Sequence, residues 1–214
     1  MRLYRPLPTL AFGRLDRFLA GYSAALAAAR RHRFAPIMRL AGGRAAAYGP
    51  AALVYEEIVT EADPLPRIAR RFERASELLR GTLAALGVDA RVGELPGEYC
   101  AGEHSINVAG RTKVVGTAQR AIRGAALTSA VIVVGDGAPV RAVLTDVYDA
   151  LGLAWDPATA GALEDELPGA TPAAVERALL AARERRGALA PGTLEAGTLR
   201  LARELLREHL ITPA

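Results

Sequence analysis

Apolar residues recur at spacings of three and four between Pro66 and Leu86, where Ile68, Phe72, Ala75, Leu79 and Leu83 share one face. That period predicts an amphipathic helix. Asp63-Pro64 ahead of it supplies a cap and a first-turn proline. The Ala- and Leu-rich stretch from Asp16 to Arg31 predicts a second helix. Thr171-Pro172 opens a third that runs to about Arg186, and Leu199 to Leu210 predicts a fourth with Leu201, Leu205 and Leu206 turned inward. Between these lie short runs of β character: Thr9 to Gly13, Ile37 to Ala41, Arg44 to Tyr48, Leu53 to Thr60, Ala90 to Glu94, Ser105 to Val108, Thr112 to Gly116 and Ala130 to Val134. Their close succession around Gly110 and around Gly135-Asp136-Gly137 predicts hairpins, and therefore antiparallel pairing over much of the sheet. The expected fold is α+β, a mostly antiparallel mixed sheet flanked by helices. No internal repeat interrupts it. Residues 1–160 are expected to form the main domain, with 161–214 a helical C-terminal extension packed on it, punctuated by Pro168-Gly169 and Pro191-Gly192.

Composition narrows the class. A length of 214 suits one domain, and an apolar fraction of 51% is ample for a core. The opening Met1 to Pro8 is broken by prolines and charges, and no run of about 18 apolar residues exists for a membrane span. The expectation is a soluble cytoplasmic protein. A net charge of +4 with a pI near 9.6 raises nucleic acid as a partner. The basic residues are scattered among 23 acidic ones, however, and aromatics make up only 5%, which leaves little for base stacking. Neither nucleic acid nor membrane is expected as a partner.

Of 27 basic residues all but Lys113 are Arg. Lys is a compact charge with three rotatable donors, whereas Arg is a planar fork. A single ammonium in such a chain is either a remnant of compositional drift or a point cation placed where a fork fails. The single cysteine, Cys100, lies thirteen positions earlier in Pro96-Gly97-Glu98-Tyr99-Cys100-Ala101-Gly102-Glu103-His104-Ser105, a stretch too rich in Gly and Pro for a helix interior. It cannot form an internal disulfide and reads either as a small buried hydrophobe or as a reactive thiol. Cys100 and His104, four apart, are only two metal donors where zinc takes three or four, so no metal site is expected. His32 among Arg30, Arg31 and Arg33 reads as solvated or as meeting the last helical carbonyls. His209 reads as surface, and Trp155 as filling a gap in the core.

Two further segments carry candidate chemistry. In Arg39-Leu40-Ala41-Gly42-Gly43-Arg44-Ala45-Ala46-Ala47-Tyr48, adjacent glycines allow positive φ and bring amides toward an anion, arginines can fork onto phosphate, and alanines leave room for a ligand chain. The same pair would also serve as an ordinary tight hairpin. Gly116-Thr117-Ala118-Gln119 follows Lys113 with small and polar residues on a strand. It could wall a narrow apolar slot or simply pair in a sheet.

Three of these segments together resemble the lipoate-protein ligase A and octanoyltransferase family of the biotin/lipoate protein ligase superfamily. Pro8 to Arg14 is similar to its early strand ending in Gly-Arg. Arg39 to Tyr48 resembles Arg-x-x-Gly-Gly-x-Ala-Val, and Gly110 to Arg120 resembles Gly-Arg-Lys-(Ile/Val)-x-Gly-(Ser/Thr)-Ala-Gln. The resemblance covers roughly residues 5 to 155. It implies a mixed sheet related to the class II aminoacyl-tRNA synthetase core and a slot for a medium-length acyl chain under the Gly-Gly loop. Lys113 would lie at the acyl carbonyl, as the family's functional lysine.

The implied activity is attachment of lipoate or octanoate to a lysine of a lipoyl carrier domain through an acyl-adenylate, lipoyl-AMP when the acid is lipoate. ATP with Mg2+ is the implied co-substrate, with Arg39, Gly42, Gly43 and Arg44 holding phosphate, and Ala45, Tyr48, Gly116, Thr117, Ala118 and Gln119 lining the site. Carrier partners would be acyltransferase subunits of 2-oxoacid dehydrogenases, the glycine cleavage H protein or similar; in place of the family's C-terminal accessory domain, either a separate accessory polypeptide or a single-domain variant is expected. Some octanoyltransferases of the group instead use a loop cysteine as a thioester without ATP, a part Cys100 would play although its neighbours and spacing differ. A non-catalytic binding subunit is the third reading. Two departures stand out. Leu127-Thr128-Ser129-Ala130 replaces a His-Gly pair, which is expected to remove polar contacts from that end of the slot, and Leu15-Asp16 stands in place of an early Gln.

Overall fold

The computed structural model describes residues 1–211, so the last three positions of the expected extension, 212–214, lie outside the described residues. The centre of the fold is a hairpin of β8 (Thr112–Ile122) and β9 (Ala125–Val133), paired antiparallel from Val115 opposite Ile132 to Ile122 opposite Ala125. On their flanks lie β1 (Arg2–Tyr4), β5 (Ala52–Thr60), β6 (Ala90–Val92) and β7 (Ile106–Val108). Together they make a six-stranded sheet in the order β1-β5-β9-β8-β7-β6, every neighbouring pair antiparallel. A second sheet has the order β3-β2-β4, with β2 (Thr9–Phe12) parallel to β3 (Ala35–Met38) and antiparallel to β4 (Ala46–Tyr48).

Side chains alternate across a strand, and the large sheet uses both faces. One carries Leu53, Tyr55, Val115, Ala130 and Ile132 into a core with Leu79 and Leu83 of α2 (Ile68–Ala85) and Val175 and Leu179 of α4 (Pro172–Glu184). The other faces the small sheet. The outer side of the small sheet is covered by Ala25, Ala28 and Ala29 of α1 (Tyr22–Arg31) and Val140, Val143, Leu144 and Val147 of α3 (Gly137–Leu151). The layers are therefore helices, large sheet, small sheet, helices. The fold is mixed α+β with a mostly antiparallel sheet flanked by helices.

Four local expectations are corrected. Gly135-Asp136-Gly137 does not turn a hairpin: Asp136 adopts φ +59° and α3 begins at Gly137, because Val140, Val143, Leu144, Val147 and Leu151 form a stripe at helical spacing that must be buried. The helix expected from Asp16 starts only at Tyr22, since the Asp16 carboxylate turns back to accept the Gly13 N–H at 2.7 Å. The paired glycines close no hairpin either. β3 and β4 lie on opposite sides of β2, and the segment between them crosses its end so tightly that a Cβ on Gly13 would collide with the Gly43 carbonyl. Finally, α5 (Ala196–His209) has no buried residue, and Leu201, Leu205 and Leu206 are exposed. No described helix is long and apolar enough to cross a membrane.

Candidate functional site

The space between the two sheets is a cavity of about 260 Å³. Its walls are mostly small or apolar: Ala46 and Ala47 from β4, Val54 from β5, Gly116 and Ala118 from β8, Leu127 and Val131 from β9. Lys113 stands at one end, only 1% exposed. A buried ammonium must have its three donors matched, and here all three are. Lys113 Nζ donates to Glu98 Oε1 at 2.8 Å, to the Tyr99 carbonyl at 2.9 Å and to the Cys100 carbonyl at 2.9 Å. It also lies 4.8 Å above the centre of the Tyr99 ring.

Glu98 is the residue that sequence reasoning missed. Its side chain is fully buried, and besides Lys113 it accepts the N–H groups of Leu95 at 3.0 Å and Gly102 at 3.2 Å and the Ser105 hydroxyl at 2.6 Å. One carboxylate thus shapes the loop from Leu95 to Ser105 and neutralises Lys113. A signal existed: a lone buried lysine needs a nearby acid, and Glu98 is one of two in the adjoining Gly- and Pro-rich loop.

The same loop presents Cys100 on the cavity wall in the left-handed region, φ +44°. A non-glycine residue there is strained by roughly 1–3 kcal/mol and is held by its surroundings. The clamp is Tyr148 of α3, whose hydroxyl accepts the Cys100 N–H at 2.8 Å and donates to the Ala45 carbonyl at 3.0 Å. Burial raises the Tyr148 phenol well above its ordinary value, so it stays a protonated donor at neutral pH. Arg39 Nη1 reaches Cys100 Sγ at 3.6 Å, and a Cβ on Gly43, itself at φ +111°, would press on that sulfur at 2.8 Å. The thiol sits against the double-glycine segment.

The remaining sequence-selected residues divide between two faces. Arg39, Tyr48, Cys100, Lys113, Gly116 and Ala118 line the cavity. Arg39 is folded onto its own loop, donating to the carbonyls of Ala41 at 3.2 Å, Arg44 at 3.0 Å and Gly42. Gly42, Gly43 and Ala45 do not line the cavity: the two glycines are exposed and Ala45 is fully buried. Arg44 points elsewhere, paired with buried Asp16 at 3.2 Å. Thr117 and Gln119 alternate to the opposite face. Thr117 donates to the His104 carbonyl at 3.1 Å, while Gln119 accepts from Arg71 at 2.9 Å and donates to the Ile68 carbonyl at 2.9 Å.

His209, read as surface, is a further correction. Its Nδ1 lies 3.1 Å from the Met38 carbonyl and it lines the cavity, because the end of α5 bridges to β3 at Ile37 and Leu210. His32 meets Asp146 at 2.8 Å rather than a helix end, and that contact holds the Asp146 carboxyl below its usual range. His104 stacks on Phe72 at 4.8 Å, and Trp155 packs on Tyr99 and Tyr148. No cluster of three or more metal-ligating side chains occurs among the described residues.

Residues 1–184 match the family model described as the lipoyl protein ligase A/B catalytic domain. No curated protein matches the chain. Among solved structures, a lipoate-protein ligase A bound with ATP is 22% identical over 97% of this chain and 81% of that chain, with a TM-score of 0.72. A T. acidophilum protein described as a lipoate protein ligase, with bound lipoic acid, is also 22% identical over 97% and 81%, TM-score 0.71. A bi-partite lipoate protein ligase described with its lipoyl domain, from Thermoplasma acidophilum, is 22% identical over 97% and 79%, TM-score 0.73.

Proposed function

The chain belongs to the lipoyl protein ligase A/B catalytic domain family, and we propose that it joins lipoate or octanoate to a lysine of a lipoyl carrier domain through an acyl-adenylate made from ATP. The observation that carries this reading is the placement of Lys113: a matched ammonium at the end of a largely apolar cavity. At about 260 Å³ the cavity lies at or below the lower end of ligand pockets, roughly 300–1,000 Å³. It suits one acyl chain, with the nucleotide at its mouth beside Arg39.

Two of the three acceptors around Lys113, and all three backbone acceptors around Arg39, are neutral carbonyls. Hydrogen bonds to charged oxygens are about twice as strong. A carboxylate or phosphate entering the cavity therefore competes well for both cations, which are already in position. In the first step an oxygen of the acid attacks the α-phosphorus of ATP, forming a P–O bond as pyrophosphate leaves. Lys113 and Arg39 would offset the charge on the carboxylate and phosphate oxygens, a stabilisation that gains from low surrounding polarity. In the second step the acceptor amine attacks the acyl carbonyl. The C–N bond forms, the C–O bond breaks, AMP departs and the amine proton passes to solvent. Magnesium would arrive with the phosphates. A lipoyl domain as acceptor is in keeping with the bi-partite ligase of the same fold.

A second reading is favoured by Cys100, whose strained, clamped backbone sets a thiol in the cavity wall. There the cysteine would attack a carrier-protein thioester, release the carrier thiol and hold the acyl group until the acceptor amine displaces it. Incubation with lipoate or octanoate, ATP and an apo lipoyl domain tests the first reading: acylated acceptor and pyrophosphate are expected, with none when ATP is omitted. Acyl transfer from octanoyl carrier protein without ATP, lost in Cys100→Ala, would replace it with the second. Absence of product by either route overturns both.

A further inference from the structure

The end of the cavity away from Lys113 is unexpectedly polar. In register across the sheet, Ala118 of β8 faces Ser129 of β9, which faces Glu56 of β5, and β1 with Tyr4 lies beyond. At about 4.8 Å per strand, the Glu56 strand is roughly 10 Å from the Lys113 strand. Glu56, Tyr4, Ser129 and Tyr48 all line this end. Loss of the expected His-Gly pair has therefore not left it apolar.

Two of these groups already satisfy each other. Glu56 accepts from Arg2 Nε at 2.9 Å and from the Tyr4 hydroxyl at 3.3 Å. Burial first, and Glu56 second, push the Tyr4 phenol up to about 12, so its proton stays on and remains directed at the carboxylate. A carboxylate already matched by Arg2 is not waiting for a cationic ligand. The hydroxyls of Ser129 and Tyr48 differ: neither has a hydrogen-bond partner among the described residues, and neither is sealed from the cavity space. Both residues line the cavity beside apolar Val54, Leu127 and Val131.

Resting on the acyl-transfer reading above, we infer that Ser129 and Tyr48 select an acyl chain whose far end carries a hydrogen-bond acceptor, the dithiolane of lipoate, over the plain methyl end of octanoate. A methyl group would displace water from both hydroxyls and return nothing, whereas ring sulfurs accept weakly. Sites built to hydrogen-bond a ligand reject the analogue that cannot comply. Because sulfur is a weak acceptor, a preference of about tenfold is expected rather than the roughly ten-thousandfold or more seen where a strong hydrogen-bonding group is lost.

Calorimetry on the purified chain tests this without relying on turnover. Three acids are compared: lipoate, octanoate, and the carbocyclic analogue of lipoate in which both ring sulfurs are CH2. Lipoate is expected to bind about tenfold more tightly than the other two. The preference should fall to about twofold or less in Ser129→Ala/Tyr48→Phe, largely through weaker lipoate binding. Ser129→Ala alone, which removes one oxygen from a strand interior, should give an intermediate ratio and covers the case in which the double variant does not fold. Equal binding of lipoate and its carbocyclic analogue overturns the inference, as does a preference that survives both variants. Binding of none of the three acids overturns, with it, the reading in which a free acid is activated by ATP. Acyl transfer to a lipoyl domain without the stated preference overturns the inference alone.

Discussion

Arg39 on the cavity wall differs from Arg44 and Arg71 in the scaffold behind it by what its charge rests on. Arg44 meets the fully buried Asp16, and Arg71 meets Glu61 and the Pro64 carbonyl. Arg39 meets only neutral carbonyls and a sulfur, while Lys113 stands between the two cases, with the buried Glu98 carboxylate and two carbonyls. A cation paired with a buried carboxylate is costly to detach. A cation resting on neutral oxygens can be handed to an incoming anion. Identical residue types in one ten-residue segment, Arg39 and Arg44, thus fall on opposite sides of that divide.

The largest expected break comes from Glu98→Ala, which strands a buried ammonium and leaves the Leu95 and Gly102 N–H groups unmatched. A loss of roughly 3–5 kcal/mol in urea unfolding is expected, and Glu98→Ala/Lys113→Met should recover part of it because the uncompensated charge is then gone. Next, Lys113→Arg retains the charge but replaces three rotatable donors with a planar fork. Turnover should drop at least about 100-fold, since comparable losses follow removal of one oriented donor. Stability should change less than in Glu98→Ala.

The arginine pair sharpens the contrast directly. Arg39→Ala should raise KM for ATP by about tenfold, the scale of one charge-assisted contact. Arg44→Ala should chiefly lower stability, by about 1–3 kcal/mol, because Asp16 keeps the Gly13 N–H but loses its cation. Equal KM effects in the two variants would erase the distinction.

The smallest effect belongs to Asp146, whose carboxyl is held below its ordinary value first by the hydrogen bond from His32. A depressed folded-state value stabilises above the unfolded carboxylate range and is lost as pH falls through the folded one. Asp146 is 45% exposed, so Asp146→Asn should cost under about 1 kcal/mol near neutral pH and nothing in acid. A thermal melt series from neutral to acid pH checks the sign.

How far the sequence could be read depends on where each element spends its apolar face. α2 and α4 were legible because a stripe at helical spacing is followed by actual burial: Leu79, Leu83 and Leu179 are fully buried. α5 has leucines of the same kind, yet it holds to the body only near its end, through His209, Leu210 and Ile211. Its periodicity gave the helix correctly and its inward face wrongly, since period says which residues share a side and not what lies beside them. α3 was hidden behind Gly135-Asp136-Gly137, whose turn chemistry serves a helix entry as well as a hairpin. At the site, Lys113, Cys100 and the double glycine stood out by rarity or conformational need. Glu98 did not, because one acid among 23 acquires meaning only through what it neutralises.

By itself the sequence determined most of the strands and helices, a mostly antiparallel arrangement and the segments that meet at the cavity, because these follow from local period and from residue types with few substitutes. Only the tertiary structure decided that β3 and β4 straddle β2, that Thr117 and Gln119 face away while Gly116 and Ala118 face in, and that the far end of the cavity is polar. Such facts depend on register and on contacts between residues as distant as Tyr4 and Glu56 or Glu98 and Lys113, which no local pattern encodes.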